Sequence, residues 1–205
     1  MDFWNSLLTE KSWNLLQELK KKDFEFILIG GWAAYLWTGL HKSKDIDIVI
    51  KNFDDLSKLK QDFELSKNEN LKKYEIKIEE IDIDIYVPFF SKLTIPAEEI
   101  KKYTSKVHGF EVVKPEILLI LKQGAEYDRE HSVKGLKDRV DIITILFNAD
   151  VDLKLYFEIL KKYKLNFFYE RLKNIITNFK DIKYLSLNPR EFKLKKKKII
   201  GKLKK

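Results

Sequence analysis

The 205-residue sequence contains no cysteine. Disulfides and thiolate metal sites are therefore excluded. No stretch approaches the roughly 18 uninterrupted apolar residues that a bilayer span requires. The opening "MDFWNSLLTEKSW" is amphipathic and carries an acid, and it lacks the basic, apolar and small-residue order of a secretory signal. These absences predict a cytoplasmic protein with no membrane contact. Two common phosphate-binding loops, G-x-x-x-x-G-K-[ST] and G-x-G-x-x-G, are missing as well. No internal repeat or long linker is visible. The three histidines, His41, His108 and His131, are scattered and read as surface or loop residues.

What is present is ample material for a core: 44% of residues are apolar and 13% aromatic, unlike a disordered chain. The length suits one large domain or a small domain with an appendage. The formal charge is +8, yet "KLKKKKIIGKLKK" at the C-terminus holds eight lysines and no acid. Met1 to Phe192 is therefore formally neutral, and only the tail resembles a polyanion-binding surface. Two readings of the tail stand: a frayed, solubilising terminus, or a contact with RNA.

Periodicity divides the chain. Phe3 to Lys21 has leucines at helical spacing, "FEFILIG" is a short apolar strand stopped by glycine, and "WAAYLWTG" is a compact helix ending at Gly39. "DIDIVI" reads as a second strand and "FDDLSKLKQDFEL" as a helix with Asp54 or Asp55 near its start. "KYEIKIEEIDIDIYVP" is one long strand or a hairpin turning at Glu79-Glu80. A further strand is expected at "FEVV". Beyond Pro115 the period changes to 3.6 and four helices follow. The expected fold is α+β (α/β), a mixed sheet flanked by helices and followed by a helical bundle. The boundaries predicted are a core over 1–113, a helical region over 114–185 and a basic, flexible tail over 186–205.

The acids within the strands carry the functional argument. Residues two apart on a strand face one side, so Asp45 and Asp47 project together, about 6.6 Å apart along the backbone. Ile46, Ile48 and Ile50 face the other way. "IDIDIY" repeats the pattern with Asp82 and Asp84. Neighbouring carboxylates repel unless a cation neutralises them, and oxygen ligands without His or Cys suit Mg²⁺ or Mn²⁺. The same alternation also describes the wet face of an antiparallel sheet. Gly30-Gly31 adds a second requirement, because a glycine pair between strand and helix lets backbone N–H groups approach a phosphate.

The segment "IGGWAAYLWTGLHKSKDIDI" resembles the signature of the DNA polymerase beta-like nucleotidyltransferase superfamily: a Gly-Gly turn, an Asp-x-Asp pair and a third acid on a later strand. The resemblance spans about Asp23 to Pro88. It implies that Gly30 and Gly31 cradle a triphosphate and that Asp45 and Asp47 hold two divalent ions. Asp84 is the implied third acid, from "DIYVP", with Asp82 on the same face as the alternative. Ser43 and Lys44 are placed either to touch phosphate or simply to enter the strand. "LKQGAEYDREHSVKGLKDRVDI" resembles the segment that follows the core in minimal nucleotidyltransferases of the abortive-infection type. That implies Lys122 as a phosphate ligand, with Lys134, Asp138 and Asp141 along a cleft wall. Lys134 and Asp138 also form an i,i+4 pair that would support any exposed helix.

The activity implied is transfer of a nucleoside monophosphate from an NTP to an acceptor hydroxyl, with Mg²⁺ and release of pyrophosphate. The acceptors that the resemblance offers are a small molecule such as an antibiotic, a tRNA 3′ end or a protein side chain. The lysine tail favours RNA. Size and the helical segment also fit the toxin of a toxin–antitoxin pair. The competing reading is a non-catalytic nucleotide- or RNA-binding protein that kept the fold, against which the intact acid pair argues. Trp32 and Trp37 are expected in the core.

Overall fold

The computed structural model describes residues 6–203. The chain divides into two compact units, 1–114 and 115–205. In the first, the elements run α1 (Ser6–Lys20), β1 (Phe26–Ile29), α2 (Gly30–Thr38), β2 (Ile46–Ile50), α3 (Phe53–Asp62), β3 (Ser66–Asn68), β4 (Lys73–Ile78), β5 (Ile81–Tyr86), α4 (Ala97–Ile100), β6 (Thr104–Val107) and β7 (Phe110–Val113).

The strands form one sheet in the order β3-β4-β5-β2-β1-β7-β6. The β2–β5 and β1–β7 pairs are parallel, and the rest are antiparallel. Alternation decides which face is buried. Ile46, Ile48 and Ile50 of β2 and Ile81, Ile83 and Ile85 of β5 are all buried, while the acids between them stay partly open. Trp32 is wholly buried on α2, and its Nε1 donates to Ser12 Oγ at 2.9 Å, which satisfies the one polar atom such a residue brings inside. Trp37 Nε1 likewise donates to the Val113 carbonyl. Asp55 accepts from the backbone N–H groups of Asn52 and Glu25, so α3 begins where the β1 and β2 ends meet.

The repeating "KYEIKIEEIDIDIYVP" is a hairpin, with Glu79 in the left-handed region at φ 52°. Of the two neighbouring strands at "FEVV", only β7 is legible as apolar alternation. Its partner β6 is joined to it through His108 and Gly109 at φ 48° and 77°, a pair of left-handed residues that matches the twist of a two-residue hairpin.

The second unit contains α5 (Pro115–Asp128), α6 (Val133–Asn148), α7 (Leu153–Lys162), α8 (Phe167–Asn178), a 3₁₀ turn (Ile182–Tyr184) and α9 (Pro189–Leu203). Ser132 and Asp152 cap α6 and α7 through their side-chain oxygens. Among the leucines and isoleucines of this core sits one polar pair: Tyr156 donates to Gln123, whose amide donates to the Phe168 carbonyl.

The segment expected as a flexible tail is helical from Pro189 onward. Asn188 accepts from the N–H groups of Arg190 and Glu191, and Glu191 returns a bond to the Asn188 N–H. With proline at the first helical position this is a complete capping box. The inner face of α9 is then anchored: Phe192 and Leu203 are buried, Phe192 meets the Phe147 and Phe179 rings, and Tyr169 donates to the Leu203 carbonyl. Lys193, Lys197, Lys198 and Lys202 are exposed, whereas Lys195 and Lys196 reach back to donate to the Phe147 and Thr177 carbonyls. Replacing Phe192 by Ala should lower stability by about 3 kcal/mol. Urea unfolding measures this, and a variant as stable as the wild type would mean that α9 is not anchored.

Candidate functional site

Both glycines of the turn are the first two residues of α2 rather than a loop before it. Gly30 has φ 66°, and a Cβ there would stand 2.0 Å from Asp47 Oδ2. The conformation and the space both require glycine. A Cβ on Gly31 would lie 2.5 Å from the hydroxyl of the buried Ser43. Ser43 is therefore packed against the turn. The residue preceding α2 is Ile29, which offers no side-chain cap, and no acid occupies the first turn. The N–H groups at this helix start are left for another acceptor.

Asp47 lies on β2 directly opposite Ile29 of β1 and in register with Asp84 of β5. One strand further, Asp84 pairs with Glu75 of β4. Three carboxylates thus follow one another across β2, β5 and β4. Asp45 falls one residue before β2, in a bend, rather than inside the strand as expected. Its Oδ1 is shielded from solvent without a hydrogen bond, and Lys44 Nζ is 3.8 Å away. Asp82 shares the face of Asp84 but is opposite Lys77 in the hairpin, two register positions from the pair that Asp84 makes with Asp47.

Lys73 of β4 binds Asp84 at 2.6 Å and Glu75 at 3.0 Å with only 11% of its side chain exposed. Burial pulls this ammonium down, but the hydrogen bonds it donates to Asp84 and Glu75 outweigh burial and its pKa is raised. Asp84 is pushed up to about 6, by burial first and by the Asp47 charge next, against the hydrogen bond from Lys73. Among the described residues no three His, Cys, Asp or Glu side chains form a group that holds a metal ion as they stand. The geometry accounts for it: Asp84 is engaged by Lys73, and Asp45 stands off the strand beside Lys44.

The acids nevertheless fit a hard divalent cation. They are oxygen donors only, one has an orphaned shielded oxygen, and another has its carboxyl pushed up by burial and by the neighbouring Asp47 charge.

Lys122 belongs to the second unit and is buried on α5. Its charge is matched by Asp141 at 2.6 Å and Asp138 at 3.6 Å, both buried on α6. The expected Lys134–Asp138 pair is replaced by a two-point contact with Arg129, Nε at 2.6 Å and Nη2 at 3.0 Å. A planar guanidinium fits both carboxylate oxygens, whereas Lys134 is exposed. The cavity of about 1030 Å³ in this unit contains neither cluster. Its charged floor is matched internally, since Glu126 receives both Arg139 and Arg171, and Glu130 receives Arg171 as well. Lys73 and Glu75 are the residues that sequence reasoning passed over. The signal available was their position in "KYEIKI", on the same strand face and opposite the acid-bearing strand.

Neither a protein-family model nor a curated protein sequence matches this chain. The fold, a seven-stranded mixed sheet with helices against it and further helices after it, is similar to that of nucleotidyltransferase-like solved structures. It is similar to JHP933 from Helicobacter pylori, with a TM-score of 0.57 at 18% identity over 98% of this chain and 95% of that one. A candidate nucleotidyltransferase from H. pylori gives 0.54 at 18% identity over 97% and 96%. The lincosamide antibiotic adenylyltransferase LnuA, with lincomycin bound, gives 0.43 at 17% identity over 70% and 98%.

The raised pKa of Asp84 has a signed consequence for stability. The folded state holds this proton more tightly than the unfolded state, so its contribution is most favourable below about pH 4. It is lost as pH rises to about 6. Above that the folded protein bears a cost on the order of 3 kcal/mol. Replacing Asp84 by Asn removes the titration. Urea stability of D84N relative to wild type should therefore rise between pH 4.5 and 7.5, by roughly 1–3 kcal/mol. Parallel pH profiles would mean that Asp84 is not perturbed.

Proposed function

We propose that the protein is a nucleotidyltransferase, dependent on Mg²⁺ or Mn²⁺, that moves a nucleoside monophosphate from an NTP to an acceptor hydroxyl. The observation that carries this reading is the contact of Asp47 with the Gly30 turn while it stands in register with Asp84. One residue thereby joins the glycine turn at the start of α2 to a row of carboxylates. In the transfer, the acceptor oxygen bonds to the α-phosphorus, the bond from that phosphorus to the bridging oxygen breaks, and pyrophosphate leaves. The acceptor hydroxyl loses its proton.

Asp45, Asp47 and Asp84 are the residues that would hold divalent ions, with Asp82, two residues earlier on β5, as the alternative to Asp84. When bound, such ions lower the pKa of the acceptor hydroxyl and offset the charge on the departing pyrophosphate. The chain's own contribution is placement. The start of α2, which has no side-chain cap, receives triphosphate oxygens, and Gly30 and Gly31 let Asp47 and Ser43 pack against that helix start. Ser43 supports the turn, and Lys44 lies beside Asp45 on the approach to the strand. Asp84 is placed to accept the hydroxyl proton, because burial and Asp47 already favour its protonated form. We do not assign Lys122 a phosphate, since two buried acids match its charge.

For the acceptor we favour RNA, because the outward face of α9 presents Arg190, Lys193, Lys197, Lys198 and Lys202, all exposed, with no acid after Glu191. Lysines four apart on a helix repeat at about 6 Å, close to the spacing of successive phosphates.

Incubation with each α-labelled NTP and pools of tRNA, protein and aminoglycoside tests the reading. Label is expected in RNA, lost on the order of 10³-fold in D47A. K193E/K197E/K198E should lower transfer to RNA about tenfold or more at moderate salt, the difference shrinking at high salt. Label transfer that D47A leaves unchanged would contradict the site.

A further inference from the structure

Lys73 reaches into the carboxylate row from β4. It bridges two acids: Asp84 at 2.6 Å, which belongs to the row proposed to hold metal, and Glu75 at 3.0 Å, which lies on the far side of it. Glu75 is itself fixed. Its Oε1 accepts from Asn68 Nδ2 at 3.1 Å, so the edge strand β3 anchors the second partner. The side chains of Lys73, Glu75 and Asp84 are 11%, 19% and 18% exposed, so water competes weakly with these contacts.

We propose that Lys73 is the built-in counter-ion of this site: it neutralises Asp84 while no divalent cation is bound, and yields Asp84 to the cation by withdrawing onto Glu75. The proposal rests on the reading of Asp45, Asp47 and Asp84 as cation ligands. Three requirements of such a device are met on the sheet. The resident charge touches the ligand that the cation needs. A second carboxylate within reach keeps the ammonium paired after it lets go, so no buried charge is stranded. That carboxylate is immobilised by an amide from a different strand, which leaves the ammonium as the part that moves. The contact also turns Asp84 towards an internal cation rather than towards Asp45. Lys73 is a positioning residue in this account.

The test is Mn²⁺ affinity, read by loss of the free-ion electron paramagnetic resonance signal and by thermal shift, on the full-length protein and its K73M, E75Q and D47N variants. Removing the competing charge should tighten Mn²⁺ binding in K73M by about tenfold or more. E75Q deprives Lys73 of its retreat and should weaken binding several-fold, an outcome that does not depend on K73M folding. D47N should abolish binding, which tests the underlying site separately. If D47N binds as the wild type does, the ligand assignment fails. If D47N loses binding while K73M and E75Q both match the wild type, or K73M binds more weakly, the ligands stand and the counter-ion proposal is overturned.

Discussion

Two carboxylates in register on neighbouring parallel strands repel each other, and burial makes that repulsion stronger than it would be in water. Asp47 and Asp84 stand in this relation, and much of the first unit can be understood as the means of holding them there. The isoleucines that alternate with them bury the opposite face of β2 and β5, so neither strand can slip by one residue without turning its acids into the core. Gly30 leaves the space that the Asp47 carboxylate fills. On the far side, Lys73 supplies the charge that lets Asp84 remain partly buried.

The same constraint links the sheet to the helix start. A residue with a side chain at position 30 would meet Asp47, so the closest approach of α2 to β2 is set by the absence of a Cβ. That closeness brings a helix N-terminus and carboxylates to one edge, an arrangement of opposite signs that suits a phosphate and the cations accompanying it. In the second unit charge is handled differently. Lys122, Arg129, Asp138 and Asp141 match one another, as do Glu126, Arg139 and Arg171. The outward lysines of α9 are the contrasting case, a run of one sign on a helix whose inner face is fixed by Phe192 and Leu203.

Strict alternation made β2, β5 and their acids legible, because "DIDIVI" and "IDIDIY" have only one way to bury their isoleucines. The Gly-Gly turn was legible for the same kind of reason: nothing else explains two glycines between an apolar strand and a helix. Asp45 was read one step too far into the strand, since alternation continues in sequence after the backbone has bent away. β6 escaped notice because "TSKV" is a short, polar edge whose pairing depends on the His108-Gly109 turn. In α9 lysine composition masked the local signal, although "NPRE" holds the N-cap, first-turn proline and third-position acid of a helix start. Partner choice was the least legible. Lys134 lies four residues from Asp138, yet the acid pairs with Arg129, because a fork that meets both oxygens displaces a nearer point charge.

We infer above all that the Gly30 turn and the acids beside it form a single site for a metal-bound nucleoside triphosphate. Calorimetric titration of each NTP, with and without Mg²⁺, on the wild type and on D45A/D47A measures this most directly. Binding that requires Mg²⁺ and disappears in the double variant is the predicted result. Binding of equal strength in both proteins, or binding indifferent to Mg²⁺, would contradict it.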